Sequence, residues 1–457
     1  MSADGLRESV EKMRADGVAE AAIATFADLY ERLRAGETGM IGESGIDPVQ
    51  SVPDAAELGP GGEDVLDSAV VLKLNGGLGT SMGLDGPKSL LPVKEGLTFL
   101  DITARQVLAL RERTGARLPL VLMNSFSTRA PSLAVLSRYP SLRADVPADF
   151  VQNKEPKLRA DTLRPVSWPA DPALEWAPPG HGDLYTALVS SGMLAALLDA
   201  GYRWAFVANV DNLGAVLDPR ILGWVAAQEI PFLMEAADRT DADRKGGHLA
   251  VRGDDGSLVL REIAQTPESD LAAFQDVARH RYFNTNNLWL DLRALDAVMA
   301  ARGGVLGLPM IVNRKTVDPR DASSPAVIQL ETAMGAAISV FSGARALRVP
   351  RTRFAPVKTT DDLLALRSDA YVLTDELHVT LAPSRSRPPY VELDSRFYKQ
   401  VGDFEERFAA GAPSLVACES LRVSGDVTFG AGVVVRGRVE VSAAGAERIA
   451  EGTVLAG

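Results

Sequence analysis

Cysteine and histidine are scarce in this sequence of 457 residues, which contains one of the former and four of the latter. Cys418 alone can form neither an internal disulfide nor a zinc site built from cysteines. No hydrophobic run reaches the ~18 residues that a transmembrane helix requires. The N-terminus, MSADGLRESVEKMRADG, is charged from the start and lacks the apolar segment of a secretory signal. We therefore expect a cytoplasmic protein without membrane attachment.

Positive charge is also in deficit, because 48 Lys and Arg residues stand against 60 Asp and Glu residues and the formal net charge is −12. A surface of this sign repels nucleic-acid backbones and anionic membranes, so neither is an expected partner. Any site for a phosphorylated ligand must therefore be made electropositive locally. Glycine-rich turns and a few placed lysines are the elements that could do so.

The first ~35 residues predict helices, since apolar residues recur every three or four positions with charges between them, as at Ile23, Phe26, Tyr30 and Leu33. We interpret them as packed accessory helices, with a partner-binding role as the alternative. From residue 36 to about residue 64 the chain is rich in Gly, Pro, Asp and Glu, which is typical of an extended connection.

The middle of the chain, from about residue 67 to residue 369, alternates short apolar runs with longer helical patterns. The runs AVVLKL, PLVLM, WAFVAN and PFLME begin at residues 69, 119, 204 and 231 and are typical of strands buried on both faces. This alternation predicts βαβ units and an α/β fold with a mostly parallel sheet. Ligands of such sheets bind at the carboxyl ends of the strands.

The C-terminal ~85 residues carry a different pattern. Leu421, Val427, Val433 and Val439 lie six residues apart among small residues, and a hexapeptide period predicts about three coils of a parallel β-helix. The exposed edge of these coils could join protomers into a homo-oligomer. Hexapeptide coils also occur in acyltransferases, but no histidine follows residue 381, which argues against that chemistry.

The segment KLNGGLGTSMGLDGPKS, residues 73–89, runs from an apolar strand directly into a glycine-rich loop. Glycines let the backbone approach a ligand and direct N–H groups at phosphate oxygens or at a base edge. A Walker A loop is excluded because it needs a glycine before the lysine, and here Pro87 precedes Lys88. The dinucleotide fingerprint G-x-G-x-x-G is excluded because three residues, not two, separate Gly79 from Gly83 in the series Gly77, Gly79 and Gly83. A tight structural turn remains the alternative to a phosphate-binding loop.

Polar side chains follow or interrupt other apolar segments. Asp211 comes directly after WAFVAN, where a carboxylate suits Mg²⁺, although an Asx-type turn would use the same residue types. Glu262, Asn284 and Asn286 suit the hydroxyls of a sugar, although they could equally satisfy buried backbone groups. His181 lies between Gly180 and Gly182 on flexible backbone, unlike a packed core histidine.

These segments together resemble the eukaryotic-type UDP-glucose pyrophosphorylase family. The matching blocks occur in the family's order from about residue 20 to residue 441. They are NGGLGTSMG with GPKS (75–83 and 86–89), MNSF (123–126), GHGD (180–183), NVDNLG (209–214), KGG (245–247), EIAQ (262–265), FNTNNLW (283–289), QLET (329–332) and RF with PVKTT (353–354 and 356–360). One departure stands beside Gln152, where Glu155 occupies a position that carries an aromatic residue in the family.

The resemblance implies a Rossmann-like, GT-A-like nucleotidyltransferase domain at residues 67–370. It also implies an N-terminal helical segment with its connection at residues 1–66, and a C-terminal domain with a small left-handed parallel β-helix at residues 371–457. By the same resemblance the nucleotide is bound by Leu78, Gly79, Thr80, Met123, Gln152, Gly180 and Gly182. The sugar phosphate is bound by His181, Asn209, Gly246, Gly247, Glu262, Asn284 and Asn286. On the same resemblance Asp211 is expected to hold Mg²⁺, and our hypothesis assigns Lys88 and Lys358 as the catalytic cations.

The implied reaction is the reversible conversion of UTP and glucose 1-phosphate to UDP-glucose and pyrophosphate. The attacking phosphate oxygen is already anionic, so His181 is expected to contact substrate rather than act as a base. One alternative is a uridylyltransferase for N-acetylhexosamine or galactose 1-phosphate. The other is a catalytically silent UDP-sugar-binding or assembly protein, against which the retention of Lys88, Asp211 and Lys358 argues.

Overall fold

The computed structural model describes residues 4–240 and 243–457. Two helices open the chain, α1 (Asp4–Ala15) and α2 (Glu20–Arg34), as the apolar spacing predicts. Their apolar residues, among them Ile23, Phe26 and Tyr30, pack with Leu158 and Met310 of the middle region of the chain. The N-terminal helices are therefore accessory elements that cover part of the main fold.

The strands before the C-terminal region alternate with helices. In chain order they are β1 (Ile46–Pro48), β2 (Ala69–Asn75), β3 (Pro92–Lys94), β4 (Leu97–Thr98), β5 (Leu120–Asn124), β6 (Asp149–Val151), β7 (Glu155–Pro156), β8 (Leu158–Arg159), β9 (Trp176–Ala177), β10 (Trp204–Asn209), β11 (Phe232–Asp238), β12 (His248–Arg252), β13 (Leu258–Arg261), β14 (Tyr282–Asp291), β15 (Met310–Thr316), β16 (Ala326–Thr332), β17 (Arg345–Arg348), β18 (Tyr371–Leu373) and β19 (Val379–Leu381).

The further helices are α3 (Phe99–Thr114), α4 (Arg129–Leu136), α5 (Asp183–Ser190), α6 (Met193–Asp199), α7 (Pro219–Ala227), α8 (Leu271–Gln275), α9 (Leu292–Ala301), α10 (Thr360–Arg367), α11 (Ser395–Tyr398) and α12 (Val401–Arg407). In the described part of the chain, no helix has the length and apolarity needed to cross a membrane.

The central sheet is mixed, with the order β1-β12-β14-β10-β2-β5-β6, while β11 and β17 extend it beside β14 and β13 pairs with β12. Strands β10, β2, β5 and β6 run parallel, and β14 is antiparallel to its neighbours. Helices α5, α6 and α9 pack on one face and α3, α4 and α7 on the other. All four apolar runs are buried strands, so the predicted α/β architecture is confirmed.

The C-terminal region contains β20 (Tyr390–Leu393), β21 (Ser414–Ser424), β22 (Val427–Phe429), β23 (Val434–Ser442), β24 (Glu447–Ile449) and β25 (Val454–Ala456). These strands form two parallel sheets, β20-β21-β23-β25 and β22-β24. Leu421 lies beside Val439, three hexapeptides later. The apolar residue of each hexapeptide is buried, which accounts for the period in the sequence.

One apolar cluster joins this C-terminal region to loops of the central domain. It contains Met82 of the glycine-rich loop, Leu213 of the NVDNLG segment and Val357 beside Lys358. All three side chains are buried together with C-terminal residues such as Phe404. The C-terminal region therefore packs directly behind three loops that the sequence singles out.

Candidate active site

Four loops meet at one edge of the sheet because β10, β2, β5 and β6 are adjacent and parallel. Asn209 ends β10, the glycine-rich loop follows β2, Met123 lies near the end of β5, and Gln152 follows β6. Carboxyl ends of neighbouring parallel strands form the usual ligand-binding crevice of such sheets. The structure therefore brings the predicted nucleotide residues together with the loop that carries Asp211.

The glycine-rich loop turns back on itself through residues with left-handed backbone. Gly79 has φ +63° and Gly83 has φ +73°, a region that side chains other than glycine rarely adopt. The Lys88 N–H donates to the Gly77 carbonyl oxygen at 3.1 Å, which closes the loop. Thr80 is exposed on this loop.

The predicted base-binding residues lie around Gly76. A β-carbon at Gly76 would approach the Gln152 side-chain oxygen to 2.6 Å, so the amide lies directly over the glycine backbone. The Gln152 N–H also donates to the Asn124 carbonyl oxygen at 2.8 Å, which fixes this residue beside β5. Met123 itself is buried at 2% exposure and belongs to the core beneath the loop.

Lys88 and Asp211 form an ion pair across the crevice, with 2.6 Å between the lysine Nζ and the carboxylate Oδ2. Their side chains are 16% and 23% exposed, so both groups remain accessible to a ligand. A cation and a carboxylate that meet beside a glycine-rich loop can receive a polyphosphate together with a divalent metal.

The donor set for a metal in this crevice is small. Among residues 4–240 and 243–457, no three or more His, Cys, Asp or Glu side chains are grouped so that they could hold a metal ion. Mg²⁺ is commonly held by one or two carboxylates with substrate phosphates and waters. Asp211, which is partly exposed and on the loop after β10, therefore fits Mg²⁺ as a ligand shared with bound phosphates.

His181 lies on a tight turn whose glycines fit closely against β16. β-Carbons at Gly180 and Gly182 would approach Thr332 atoms to 2.6 and 2.2 Å, so neither position has room for a side chain. The Met334 N–H donates to His181 Nδ1 at 2.9 Å, which leaves Nε2 as the protonated nitrogen. The residue is exposed at the surface of the crevice, yet the protein atoms that surround the ring lower the pKa of His181 to about 4. His181 is therefore a neutral donor at neutral pH.

Glu262 and Gly247 form the opposite side of the crevice. A β-carbon added at Gly247 would lie only 2.5 Å from the carboxyl carbon and from both carboxylate oxygens of Glu262. This contact therefore needs glycine at position 247. Burial raises the pKa of Glu262, whereas the charge of Lys358 lowers it. Gly246 is held by a bond from its N–H to the Asp243 carbonyl oxygen at 2.9 Å.

The asparagines of FNTNN separate into two groups at an irregular point of β14. Asn286 has φ +58°, and the pairing of β14 with β11 shifts register at this point. The side chain of Asn284 donates to Asn286 Oδ1 at 2.8 Å, and the Asn284 N–H donates to the Gly247 carbonyl oxygen. Asn284 and Asn286 thus adjoin Gly247. Asn287, by contrast, is fully buried and its side chain donates to Glu235 Oε2 in the core. A bulge of this kind re-aims side chains beside a site.

Lys358 reaches the same area from another part of the chain. Its side chain is exposed, and its charge acts on the Glu262 carboxyl. Its backbone N–H donates to Asp362 Oδ2 at 2.7 Å, which fixes the residue at the start of α10. The backbone of Lys358 is therefore fixed, and its ammonium group lies 5.6 Å from the centre of the Phe354 ring.

Sequence reasoning missed a buried polar network behind these residues. Glu235 is fully buried and accepts two bonds from the Arg353 guanidinium, one from Trp289 Nε1 and one from Asn287. The signal was the single carboxylate in the apolar run PFLME, because a buried charge requires partners. Asn212, the last residue of NVDN, joins this network as well.

Comparisons with known proteins agree with this arrangement. The sequence model of the family described as UTP–glucose-1-phosphate uridylyltransferase matches residues 23–436. The enzyme of that name from Solanum tuberosum is 43% identical over 86% of this chain and 81% of its own length. The one from Hordeum vulgare is 40% identical over 99% of this chain and 95% of its own length.

Solved structures give the same answer. A mutant UDP-glucose pyrophosphorylase from Leishmania major in complex with UDP-glucose has a TM-score of 0.94 and 48% identity, covering 100% of this chain and 98% of its own. The UDP-glucose phosphorylase from Trypanosoma brucei has a TM-score of 0.91 and 48% identity, over 99% and 98% of the two chains. With sequence and fold in agreement over nearly its whole length, this chain belongs to the UTP–glucose-1-phosphate uridylyltransferase family.

Proposed function

We propose that this chain catalyses the reversible reaction of UTP with glucose 1-phosphate to give UDP-glucose and pyrophosphate. The observation that carries the proposal is the Lys88–Asp211 contact of 2.6 Å beside the glycine-rich loop. It supports the proposal because a cation and a carboxylate suited to a divalent metal lie beside the loop that would hold the nucleotide. Membership of the family supports the same reaction.

The nucleotide end of the site is assigned to the loops after β2, β5 and β6. The amide of Gln152 pairs with the oxygen and N–H edge of uracil, and Leu78 and Gly79 contribute backbone groups. Thr80 borders the same space, and Met123 supports the loop from the core beneath it. Gly180 and Gly182, which pack tightly against Thr332, are assigned to the nucleotide through their backbone groups.

The sugar phosphate is assigned to the opposite side of the crevice. Glu262, Asn284 and Asn286 supply donors and acceptors for hexose hydroxyls, beside the open backbone of Gly246 and Gly247. Asn209, the last residue of β10, is assigned to the same ligand. His181 donates from Nε2 to substrate phosphate or sugar, since its Nδ1 already accepts from the Met334 N–H.

In the chemical step, an oxygen of glucose 1-phosphate forms a bond to the α-phosphorus of UTP, and the bond from that phosphorus to the bridging oxygen of pyrophosphate breaks. The electron pair leaves with pyrophosphate, and no proton has to be removed from the attacking oxygen. The protein positions two anions in line and stabilises the transferring charge. Lys88 acts on the triphosphate, and Lys358 acts on the sugar phosphate and the transferring phosphoryl group.

Mg²⁺ belongs to the proposal as the cofactor held by Asp211. With phosphate oxygens as further ligands, it would supply positive charge to the leaving pyrophosphate. Lys88 already contacts this carboxylate, so the two cations would share the triphosphate between them.

The test is pyrophosphate release from UTP and Mg²⁺ with glucose, galactose or N-acetylglucosamine 1-phosphate in parallel. ATP and TTP serve as nucleotide controls. We expect fast release with UTP and glucose 1-phosphate only. Release with another sugar would change the substrate and keep the mechanism. Protein that binds UDP-glucose but releases no pyrophosphate with any pair would instead be the silent binding protein.

We further propose the domain division at residues 66/67 and 370/371, a left-handed turn for the C-terminal coils and a homo-oligomer formed through them. The outer strand β25 exposes Val454 at 53% on an unpaired edge, which invites pairing with a second copy. Val454→Asp should reduce the mass measured by light scattering, whereas Arg438→Asp on the inner strand β23 should not. Equal masses for the wild type and Val454→Asp would remove this edge from the interface.

A further inference from the structure

The side-chain amide of Asn212 lies at the junction of three active-site segments. Asn212 directly follows Asp211 in the chain, yet it is 2% exposed and its amide bonds to other groups of the protein. Its partners come from its own loop, from β14 and from the segment that leads to Lys358. A buried amide with partners in three segments fixes their relative positions.

The side-chain amide of Asn212 forms four hydrogen bonds, two through Oδ1 and two through Nδ2. Oδ1 accepts from the N–H groups of Gly214 at 3.2 Å and Ala355 at 2.9 Å. Nδ2 donates to Asn287 Oδ1 and to the Arg353 carbonyl oxygen, both at 3.1 Å. Because two partners are pure donors and one is a carbonyl, only one orientation of the amide satisfies them.

The segments that meet here carry the groups assigned to catalysis. Ala355 lies three residues before Lys358, and the backbone of Asn212 forms a β-bridge with Pro356. Asn287 follows Asn286 on the sugar side of the crevice. The contacts of Asn212 therefore join the Asp211 loop to the Lys358 segment.

The junction is rigid because the buried Glu235–Arg353 pair supports it. The Glu235 oxygens lie 2.6 and 2.7 Å from the Arg353 guanidinium nitrogens, and Asn287 bonds both Glu235 and the Arg353 carbonyl oxygen. Networks of this kind in a low-dielectric interior hold one geometry when every member is satisfied.

We propose that Asn212 is a positioning residue that sets the distance between the Asp211 carboxylate and the Lys358 ammonium group during phosphoryl transfer. This inference rests on the proposed function. Alanine at this position removes all four bonds and lets the Lys358 segment shift relative to the Asp211 loop. Misplacement by ~1 Å can cost ~10²-fold in rate, so we expect kcat to fall by about 30- to 100-fold. Binding of UDP-glucose without turnover should change by less than about threefold.

The test compares Asn212→Ala with wild type in kcat, in KM and in the Kd for UDP-glucose. Leu295→Ala, at a fully buried position of α9 far from the crevice, is the matched control for lost stability. It should lower the melting temperature and leave kcat within about twofold of wild type. Retention of kcat in Asn212→Ala, or an equal loss in Leu295→Ala, would overturn the proposal.

A double-mutant cycle with Lys358→Ala supplies a result that loss of stability cannot imitate. If Asn212 acts through Lys358, adding Asn212→Ala to a protein that lacks this lysine should cost less than about threefold. Additive losses would refute the positioning role. If the alanine variant does not fold, the same cycle is measured with Asn212→Asp, which keeps the two accepted hydrogen bonds and loses the two donated ones. Wild-type protein without turnover would instead refute the proposed function, and the role of Asn212 with it.

Discussion

The Lys88–Asp211 ion pair allows a prediction in which turnover and stability separate. Lys88→Met keeps the aliphatic length of the side chain and removes its charge. Exposed ion pairs contribute ~0–1 kcal/mol and breaking a buried one costs ~3–5 kcal/mol. At 16% and 23% exposure this pair is intermediate, and we expect a loss of about 1–2 kcal/mol in the free energy of unfolding.

Turnover should respond far more strongly. Loss of one preorganised group that stabilises transition-state charge costs ~10²–10³-fold in kcat, or about 2.7–4 kcal/mol. The assay is steady-state pyrophosphate release with UTP and glucose 1-phosphate, together with thermal unfolding of each variant.

Lys12 provides a matched control outside the crevice. It forms an ion pair with Glu175, and these two side chains are 22% and 15% exposed. Lys12 also donates to the Val166 carbonyl oxygen at 2.8 Å, so Lys12→Met should destabilise the protein at least as much as Lys88→Met while leaving kcat within about twofold. A near-normal kcat in Lys88→Met would refute the reasoning. A loss of kcat in Lys12→Met as large as that in Lys88→Met would refute it as well.

Two further predictions concern the sugar side and a buried carboxyl. Gly247→Ala should displace the Glu262 carboxyl group, which raises KM for glucose 1-phosphate about tenfold and leaves KM for UTP unchanged. The control is Gly253→Ala, because a β-carbon there has its nearest neighbour at 3.6 Å. Equal KM values for glucose 1-phosphate in the two variants would contradict the contact. Glu155 is buried, accepts from the Leu330 N–H at 3.0 Å, and has a pKa raised well above 4.5 by burial. The folded protein therefore keeps a proton that the unfolded chain loses, and stability falls by ~1.4 kcal/mol per pH unit as pH rises above 4.5 towards the folded pKa. Glu155→Gln removes this loss, so the melting temperature of the variant should rise relative to that of wild type as pH increases from 5 towards the folded pKa of Glu155. A difference in melting temperature that does not change with pH would contradict the pKa shift.

The sequence carries enough information for the strands and for the edge at which the crevice forms. Runs such as WAFVAN are apolar throughout because both faces of the strand are buried, and Asp211 follows one of them directly. The glycine-rich loop is also recognisable, because Gly79 and Gly83 occupy left-handed backbone.

Pairings across the chain could not be predicted in the same way. Lys88 and Asp211 meet because β2 and β10 are neighbours, and strand order depends on packing of the whole sheet. Asn286 and Asn287 look alike in the sequence. Only the shift in register of β14 directs one towards Gly247 and the other into the core.

The apolar cluster that contains Met82, Leu213 and Val357 has a consequence for thermal inactivation. These residues of the central loops are buried against the same C-terminal side chains, including Phe404 and Leu421. Unfolding of the coils would expose the cluster and release the backs of all three loops at once. Heat should therefore abolish turnover in the same transition that melts the C-terminal strands, however stable the central sheet remains by itself.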